Sequence, residues 1–253
     1  MTDALKIAVV TGAGSGLGRG LAVELARRGV KVVGFGRRQA ALQETGGLAG
    51  VNFVPTVVDV ANFDAVTTAF DGIEKTIGAV DILINNAAVY PQKDIFEETA
   101  QSLMDTVAIN LGGTVACSRA ALTGMVARGR GRIIDVASFA DIAPIPTSAA
   151  YAVSKGAQRI FSRALHADLA DRFPDIILST WLPGMLATDM GLAEGLDPNL
   201  AAKWGACLAL MSDRTLNGAV FERDLELLPP QSFKRRVVNR LLGRRPNPRR
   251  LTP

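Results

Sequence analysis

The chain is 253 residues long, with 28 Lys and Arg, 24 Asp and Glu, one His, two Cys and an apolar share of 48%. That length and apolar content suit one large buried core, and they exclude a disulfide-built scaffold or a disordered chain. Eight basic residues, Lys234, Arg235, Arg236, Arg240, Arg244, Arg245, Arg249 and Arg250, follow Glu226 with no acid among them, leaving 20 basic against 24 acidic side chains elsewhere. The basic charge therefore describes a tail, and nucleic-acid binding by the body has little support.

The first element is Leu5-Lys6-Ile7-Ala8-Val9-Val10, a short β-branched run. Thr11-Gly12-Ala13-Gly14-Ser15-Gly16-Leu17-Gly18 follows at once, and Leu21, Ala22, Leu25 and Ala26 then recur at helical spacing. Strand, tight turn and helix in that order make a phosphate cradle. Glycines let the main chain approach a pyrophosphate, whose charge meets free N–H groups and the positive end of the helix macrodipole. Further strands are predicted at 30–35, 51–58, 80–85, 131–137, 176–182 and 219–222, with helices at 16–28, 38–44, 62–77, 99–128, 149–172 and 197–211.

Repeated strand-helix alternation predicts an α/β chain: a doubly wound Rossmann fold with a parallel seven-stranded sheet and helices on both faces. Residues 1–228 form one domain in this reading, and 229–253 form a basic C-terminal tail. A ligand belongs beyond the carboxyl ends of the strands, between strands 1 and 4. Cys117 and Cys207 fall inside predicted helices without ligand spacing and read as core thiols in a reducing compartment. No leader pattern opens the chain and no apolar run approaches the roughly eighteen residues of a spanning helix, so a soluble, cytoplasmic protein is expected.

Tyr151 and Lys155 stand four apart in a predicted helix, which puts a phenol and an ammonium on one face. A fixed cation favours phenolate and draws the phenol's pKa down from about 10. Ser138 ends the strand before that helix, and Asn85-Asn86 ends another. His166, the single histidine, reads as structural or exposed, and no His, Cys or carboxylate set has the spacing of a metal site.

Thr-Gly-x-x-x-Gly-x-Gly at 11–18, Asn85-Asn86-Ala87, Asn110, Ser138, Tyr151 with Lys155, and Pro183-Gly184 with Thr188 resemble the motif series of the short-chain dehydrogenase/reductase family, in its compact single-domain branch. The order and intervals match from residue 5 to about 222. The resemblance implies strand order 3-2-1-4-5-6-7, a nicotinamide dinucleotide, and a catalytic tetrad of Asn110, Ser138, Tyr151 and Lys155. Tyr151 is then the acid for a carbonyl oxygen and Ser138 a donor to that oxygen. Lys155 holds the nicotinamide ribose, and Asn110 binds a water that links Lys155 to solvent. Cofactor contacts are expected at Gly12, Gly14, Ser15, Gly16, Leu17, Gly18, Asp59, Val60, Asn86, Ala87, Ala88, Tyr151, Lys155, Pro183, Gly184, Leu186 and Thr188. Two departures stand out: Ala88 replaces a usual glycine, and Phe221-Glu222-Arg223-Asp224 replaces the usual Asp-Gly-Gly ending.

Cofactor choice turns on the end of the second strand. An NAD site places a carboxylate there for the adenosine ribose, whereas this chain has Gly36 followed by Arg37 and Arg38, whose planar forks suit a 2′-phosphate. NADP is favoured and NAD is the second choice.

The substrate reads as a mainly apolar carbonyl compound or secondary alcohol. Tyr90, Ser138, Phe139, Ile145, Tyr151 and Met185 are expected to meet it, with Ile142, Leu186 and Met190 nearby. A turnover-free redox sensor, an NAD-dependent alcohol dehydrogenase and an epimerase or dehydratase are the alternatives. A homodimer or homotetramer is expected, and the tail, with Phe233, Val237 and Leu241 four apart, could meet an anionic membrane or an acidic partner.

Overall fold

A computed structural model describes residues 6–229 and 247–252. Eight strands, β1 Ile7–Thr11, β2 Lys31–Gly36, β3 Phe53–Val57, β4 Ile82–Asn85, β5 Gly131–Val136, β6 Ile176–Leu182, β7 Ala219–Glu222 and β8 Leu225–Leu227, form one sheet in the order β3-β2-β1-β4-β5-β6-β7-β8. All pairings are parallel except the last, between β7 and β8. The helices are α1 Gly16–Arg27, α2 Gln39–Ala49, α3 Phe63–Thr76, α4 Ala100–Val107, α5 Gly113–Arg128, α6 Ala149–Leu169 and α7 Pro198–Leu210. Among the described residues no helix is long and apolar enough to cross a membrane.

The central strands carry unbroken apolar stretches, Ile7–Val10 in β1 and Ile82–Ile84 in β4, because both faces of the sheet are covered. In β1, Ala8 and Val10 join a core with Leu21, Leu25, Trp181 and Ala206. Ile7 and Val9 join a second core with Phe35, Phe70, Leu83 and Met125. Cys117 lies in that second core, where burial pushes its thiol up to about 12, so it is an unreactive packing group. His166 is structural: its Nδ1 lies 3.1 Å from Asn217 Oδ1, which also accepts from Leu178 N and so ties α6 to β6.

Several elements differ from the sequence reading. Helix α2 continues past 44 through Gly46 and Gly47, because Leu42, Thr45 and Ala49 bury one face and Gly46 lies against Phe53 of β3. The predicted helix at 99–128 is interrupted by a π-helical turn, Ala108–Gly112. Close packing follows it, since a Cβ at Gly113 would stand 2.6 Å from Val60 Cγ2.

The sheet has eight strands rather than seven. The unusual ending forms the β7–β8 turn, in which Arg223 takes φ 51° and its carbonyl accepts from Trp181 Nε1 at 2.9 Å. Part of the basic tail, 229–253, packs back on the domain. Residues 249–251 return beside β8, where Glu226 N donates to Arg249 O and Leu251 N to Asp224 O at 2.9 and 2.7 Å. Leu251 is buried in the first core, and Arg249 is ion-paired with Glu226. The apolar-basic stretch around Phe233, Val237 and Leu241 lies outside the described residues.

Candidate functional site

The carboxyl ends of β1, β4, β5 and β6 open on one cleft of about 850 Å³. Thr11 fastens two of those ends together. Its Oγ1 accepts from Asn86 N and Ala87 N, both at 2.9 Å, and its carbonyl accepts from Asn86 Nδ2 at 2.8 Å. Gly12 follows with φ 70°, and a Cβ on Gly18 would stand 2.1 Å from Gly12 O, so only glycine lets α1 begin this close to the turn. Ser15 precedes α1 without capping it through its side chain, which leaves first-turn N–H groups to face an anion. This cradle fits a dinucleotide pyrophosphate. Gly12, Gly14, Ser15, Gly16, Leu17 and Gly18 all line it.

At the far end, Arg37 and Arg38 are exposed at the cleft wall where β2 passes into α2, and neither makes an ion pair among the described residues. A Cβ at Gly36 would lie 3.2 Å from Leu42 Cδ2, so the position is closely packed. Asp59 and Val60 also line the cleft. One carboxylate oxygen of Asp59 accepts from Ala61 N at 3.0 Å in a local turn, and Asn62, not Asp59, caps α3.

At the other end α6 carries Tyr151 and Lys155, and the loop after β5 carries Ser138; all three line the cleft. Burial pushes the Tyr151 phenol up. The nearby Ser138 hydroxyl opposes part of that rise, without closing a direct hydrogen bond, and Tyr90 adds to it. Lys155 does not draw the phenol down as its sequence spacing suggests. Its ammonium stands 6.0 Å from the Tyr151 ring centroid and donates instead to Val136 O and Gln158 Oε1, at 2.8 and 2.9 Å. Burial lowers Lys155 to about 8, partly countered by the negative charge of Asp135.

Asn110 sits in the π-helical turn, fully buried behind the cleft rather than in its lining. Its Oδ1 accepts from Val89 N at 2.8 Å, and its Nδ2 donates to Val89 O and Ser154 Oγ, both at 2.9 Å. The side chain therefore clamps the loop after β4 to α6. Its main-chain carbonyl accepts from Thr114 Oγ1 at 2.9 Å.

Asn86, Ala87, Ala88, Pro183, Gly184, Leu186 and Thr188 also line the cleft. Tyr90, Phe139, Ile145, Met185 and Met190 are largely apolar parts of the lining, and the Tyr90 ring packs against that of Tyr151. Ile142 is not part of the lining, and it is 63% exposed. Sequence reasoning missed Ile109 and Val136 in the lining, and Thr11 and Gln158 as supports. The threonine opening the glycine motif was a signal for the first support; an interior glutamine two residues after a helix glycine gives none for the last. Among the described residues no group of three His, Cys, Asp or Glu could hold a metal ion.

The short chain dehydrogenase family model matches residues 6–198. A 2-(S)-hydroxypropyl-CoM dehydrogenase of Xanthobacter autotrophicus is 33% identical over 80% of this chain and 82% of its own length. A 3-oxoacyl-[acyl-carrier-protein] reductase of Vibrio cholerae is 31% identical over 73% and 75%. A short-chain type dehydrogenase/reductase of Picea abies is 34% identical over 74% and 73%.

Proposed function

Since the chain belongs to the short chain dehydrogenase family, and is with it a nicotinamide-dinucleotide-dependent oxidoreductase, we propose that it is NADP(H)-linked and interconverts a carbonyl and a secondary alcohol on a mainly apolar small molecule. The observation that carries this reading is one cleft lined by Arg37 and Arg38 where β2 passes into α2, by Ser138, Tyr151 and Lys155, and by the largely apolar Tyr90, Phe139, Ile145, Met185 and Met190. When bound, the dinucleotide supplies or accepts the hydride.

In reduction, charge grows on the carbonyl oxygen, and Tyr151 gives that oxygen its proton. Ser138 donates a hydrogen bond to the same oxygen and holds it beside the phenol. Lys155 donates to the nicotinamide ribose hydroxyls and supplies positive charge near the reacting oxygen. The phenol's raised pKa keeps it protonated at neutral pH, which suits an acid better than a base. Asn110 acts through the clamp on Val89 and Ser154, which fixes Tyr90 and α6 relative to each other. Arg37 and Arg38 offer two planar cations to a 2′-phosphate, and Gly36 puts no carboxylate against it.

The test is a purified protein mixed with NADPH or NADH and a panel of apolar ketones, read as loss of nicotinamide absorbance. Carbonyl-dependent turnover with the higher kcat/KM for NADPH is expected. Faster turnover with NADH would refute the cofactor assignment, and no turnover with any carbonyl or alcohol would refute the reaction.

A further inference from the structure

Gln158 lies one turn beyond Lys155 on α6 and is 1% exposed. It lies outside the cleft lining, directly behind a residue that forms part of it. Its Oε1 accepts from Lys155 Nζ at 2.9 Å, and its Nε2 donates to Thr114 Oγ1 of α5 at 3.0 Å. Thr114 in turn donates to Asn110 O at 2.9 Å. The direction of this chain is forced. An ammonium only donates, so Gln158 must present its oxygen to Lys155 and its nitrogen to Thr114, whose own proton goes to the carbonyl.

Two of the three N–H bonds of Lys155 are thereby assigned, one to Gln158 and one to Val136 O at 2.8 Å. The third remains for the cleft. Asp135, which precedes Val136 in β5, is fully buried and accepts from Asn85 Nδ2 at 2.8 Å and Ser162 Oγ at 2.5 Å. Its charge reaches Lys155 through space, while Gln158 touches it. The titratable groups facing the ammonium are thus Asp135 from β5 and Tyr151 from α6 itself; α5 presents the neutral Thr114.

We propose that Gln158, locked by Thr114, is a positioning residue that seats the Lys155 ammonium and leaves its remaining N–H for the dinucleotide in the cleft. The side-chain series Lys155, Gln158, Thr114 joins the lysine to Asn110 O where the resemblance implies a water. An amide nitrogen does not pass a proton along, so this connection holds Lys155 and does not refill it. Proton resupply then comes from the open side of the cleft. The proposal rests on the reading that Lys155 meets the cofactor ribose.

The experiment compares Gln158→Met and Gln158→Glu with the parent in two measurements. The first is the titration midpoint of Lys155 by NMR of side-chain-labelled lysine, in protein without added dinucleotide. The second is NADPH affinity by fluorescence titration. Methionine removes the acceptor, so the midpoint falls below the parent's value, and NADPH binding weakens roughly tenfold, as for a lost hydrogen bond to a charged group. Glutamate keeps an acceptor and adds a counter-charge, so the midpoint rises. A residue needed only for packing would not move the two midpoints in opposite directions. An unchanged midpoint in Q158M overturns the seat. A shifted midpoint with unaltered NADPH affinity overturns its role toward the ligand. If the parent binds neither dinucleotide, it is the proposed function that fails, and the midpoints still decide the seat.

Discussion

The ring of Tyr90 lies 4.5 Å from that of Tyr151, centroid to centroid, tilted by 34°. Tyr90 follows β4 in a loop that Asn110 grips through both main-chain groups of Val89, so the contact is built in from two sides. It shelters the phenol and adds to the rise of its pKa. Tyr90→Ala should expose Tyr151 and move the phenol back toward its ordinary value, so the alkaline rise of alcohol oxidation begins at lower pH. Tyr90→Phe, which keeps the ring, should move it much less. A pH profile of kcat for oxidation in the three proteins checks this, and equal shifts in both variants would assign the effect to the hydroxyl instead.

Tyr151→Phe removes the proton donor and leaves the cradle alone. General acid catalysis contributes roughly 10²–10⁴-fold, and turnover should fall by that range while NADPH affinity stays within about twofold. Single-turnover reduction together with equilibrium binding separates the two quantities. A phenylalanine variant within tenfold of the parent would remove Tyr151 from the mechanism.

Lys155 sets the alkaline limit for reduction. Its folded value is lowered to about 8 from 10.5, so the ammonium is lost as pH rises through about 8. kcat/KM for the carbonyl should decline above that point although Tyr151 is still protonated. The same shift acts on stability with the opposite sign: between about 8 and 10.5 the unfolded chain binds the extra proton, so this group makes folding more favourable as pH rises. Activity lost above pH 8 without a matching drop in melting temperature is the expected pattern. A flat reduction profile to pH 10 would contradict it.

Much of this arrangement is legible because it is local. The glycines of 12–18 sit between a strand and a helix, and a spacing of four fixes Tyr151 and Lys155 on one helical face wherever the helix goes. What the sequence hides is pairing across the fold. Where Lys155 points depends on Val136, which comes from β5, and on Gln158, whose orientation is fixed from α5. Local charge logic turned the ammonium toward the phenol, whereas hydrogen bonds to Val136 O and Gln158 Oε1 hold it elsewhere. The π-helical turn leaves no periodic signature in 99–128, since it adds one residue to an otherwise helical run. Strand β8 has three residues, too few for alternation to show; it pairs with β7 across a tight turn, and the bridge from Leu225 on its other edge goes to Arg250, more than twenty positions later.

Charge at the adenosine end decides the choice of dinucleotide. Replacing Arg37 and Arg38 together with Ser should lower kcat/KM for NADPH at least tenfold, the loss of a charge-assisted contact being worth about 1.5–3 kcal/mol, and leave NADH nearly unaffected. Adding Gly36→Asp should repel the 2′-phosphate further, but its Cβ must displace Leu42, 3.2 Å away, so the melting temperature should fall as well. The ratio of kcat/KM for the two cofactors is the measure. If the double serine variant leaves that ratio unchanged, the arginines only begin a solvated helix.

The C-terminal strap should be worth more than its basic composition suggests. Leu251 is 2% exposed within the first core, and Arg249 pairs with Glu226 at 2.6 Å while reaching Thr215 Oγ1 at 2.7 Å. Leu251→Ala should cost about 2–5 kcal/mol, as for other buried leucines, and lower the melting temperature by on the order of 5–15 °C. Arg249→Met should cost less, and its cost should depend on pH. The hydrogen bonds from Arg249, followed by its charge, hold the Glu226 carboxyl below its ordinary value against the opposing effect of burial. A depressed carboxylate stabilises the fold above its unfolded pKa, and that contribution disappears as pH falls through the folded one. Parent and Arg249→Met should therefore differ at neutral pH and converge in acid. Ending the chain at Pro230 removes both contacts, so the truncated protein should melt at least as early as Leu251→Ala; equal melting of truncated and full-length protein would show that the strap adds nothing to the fold.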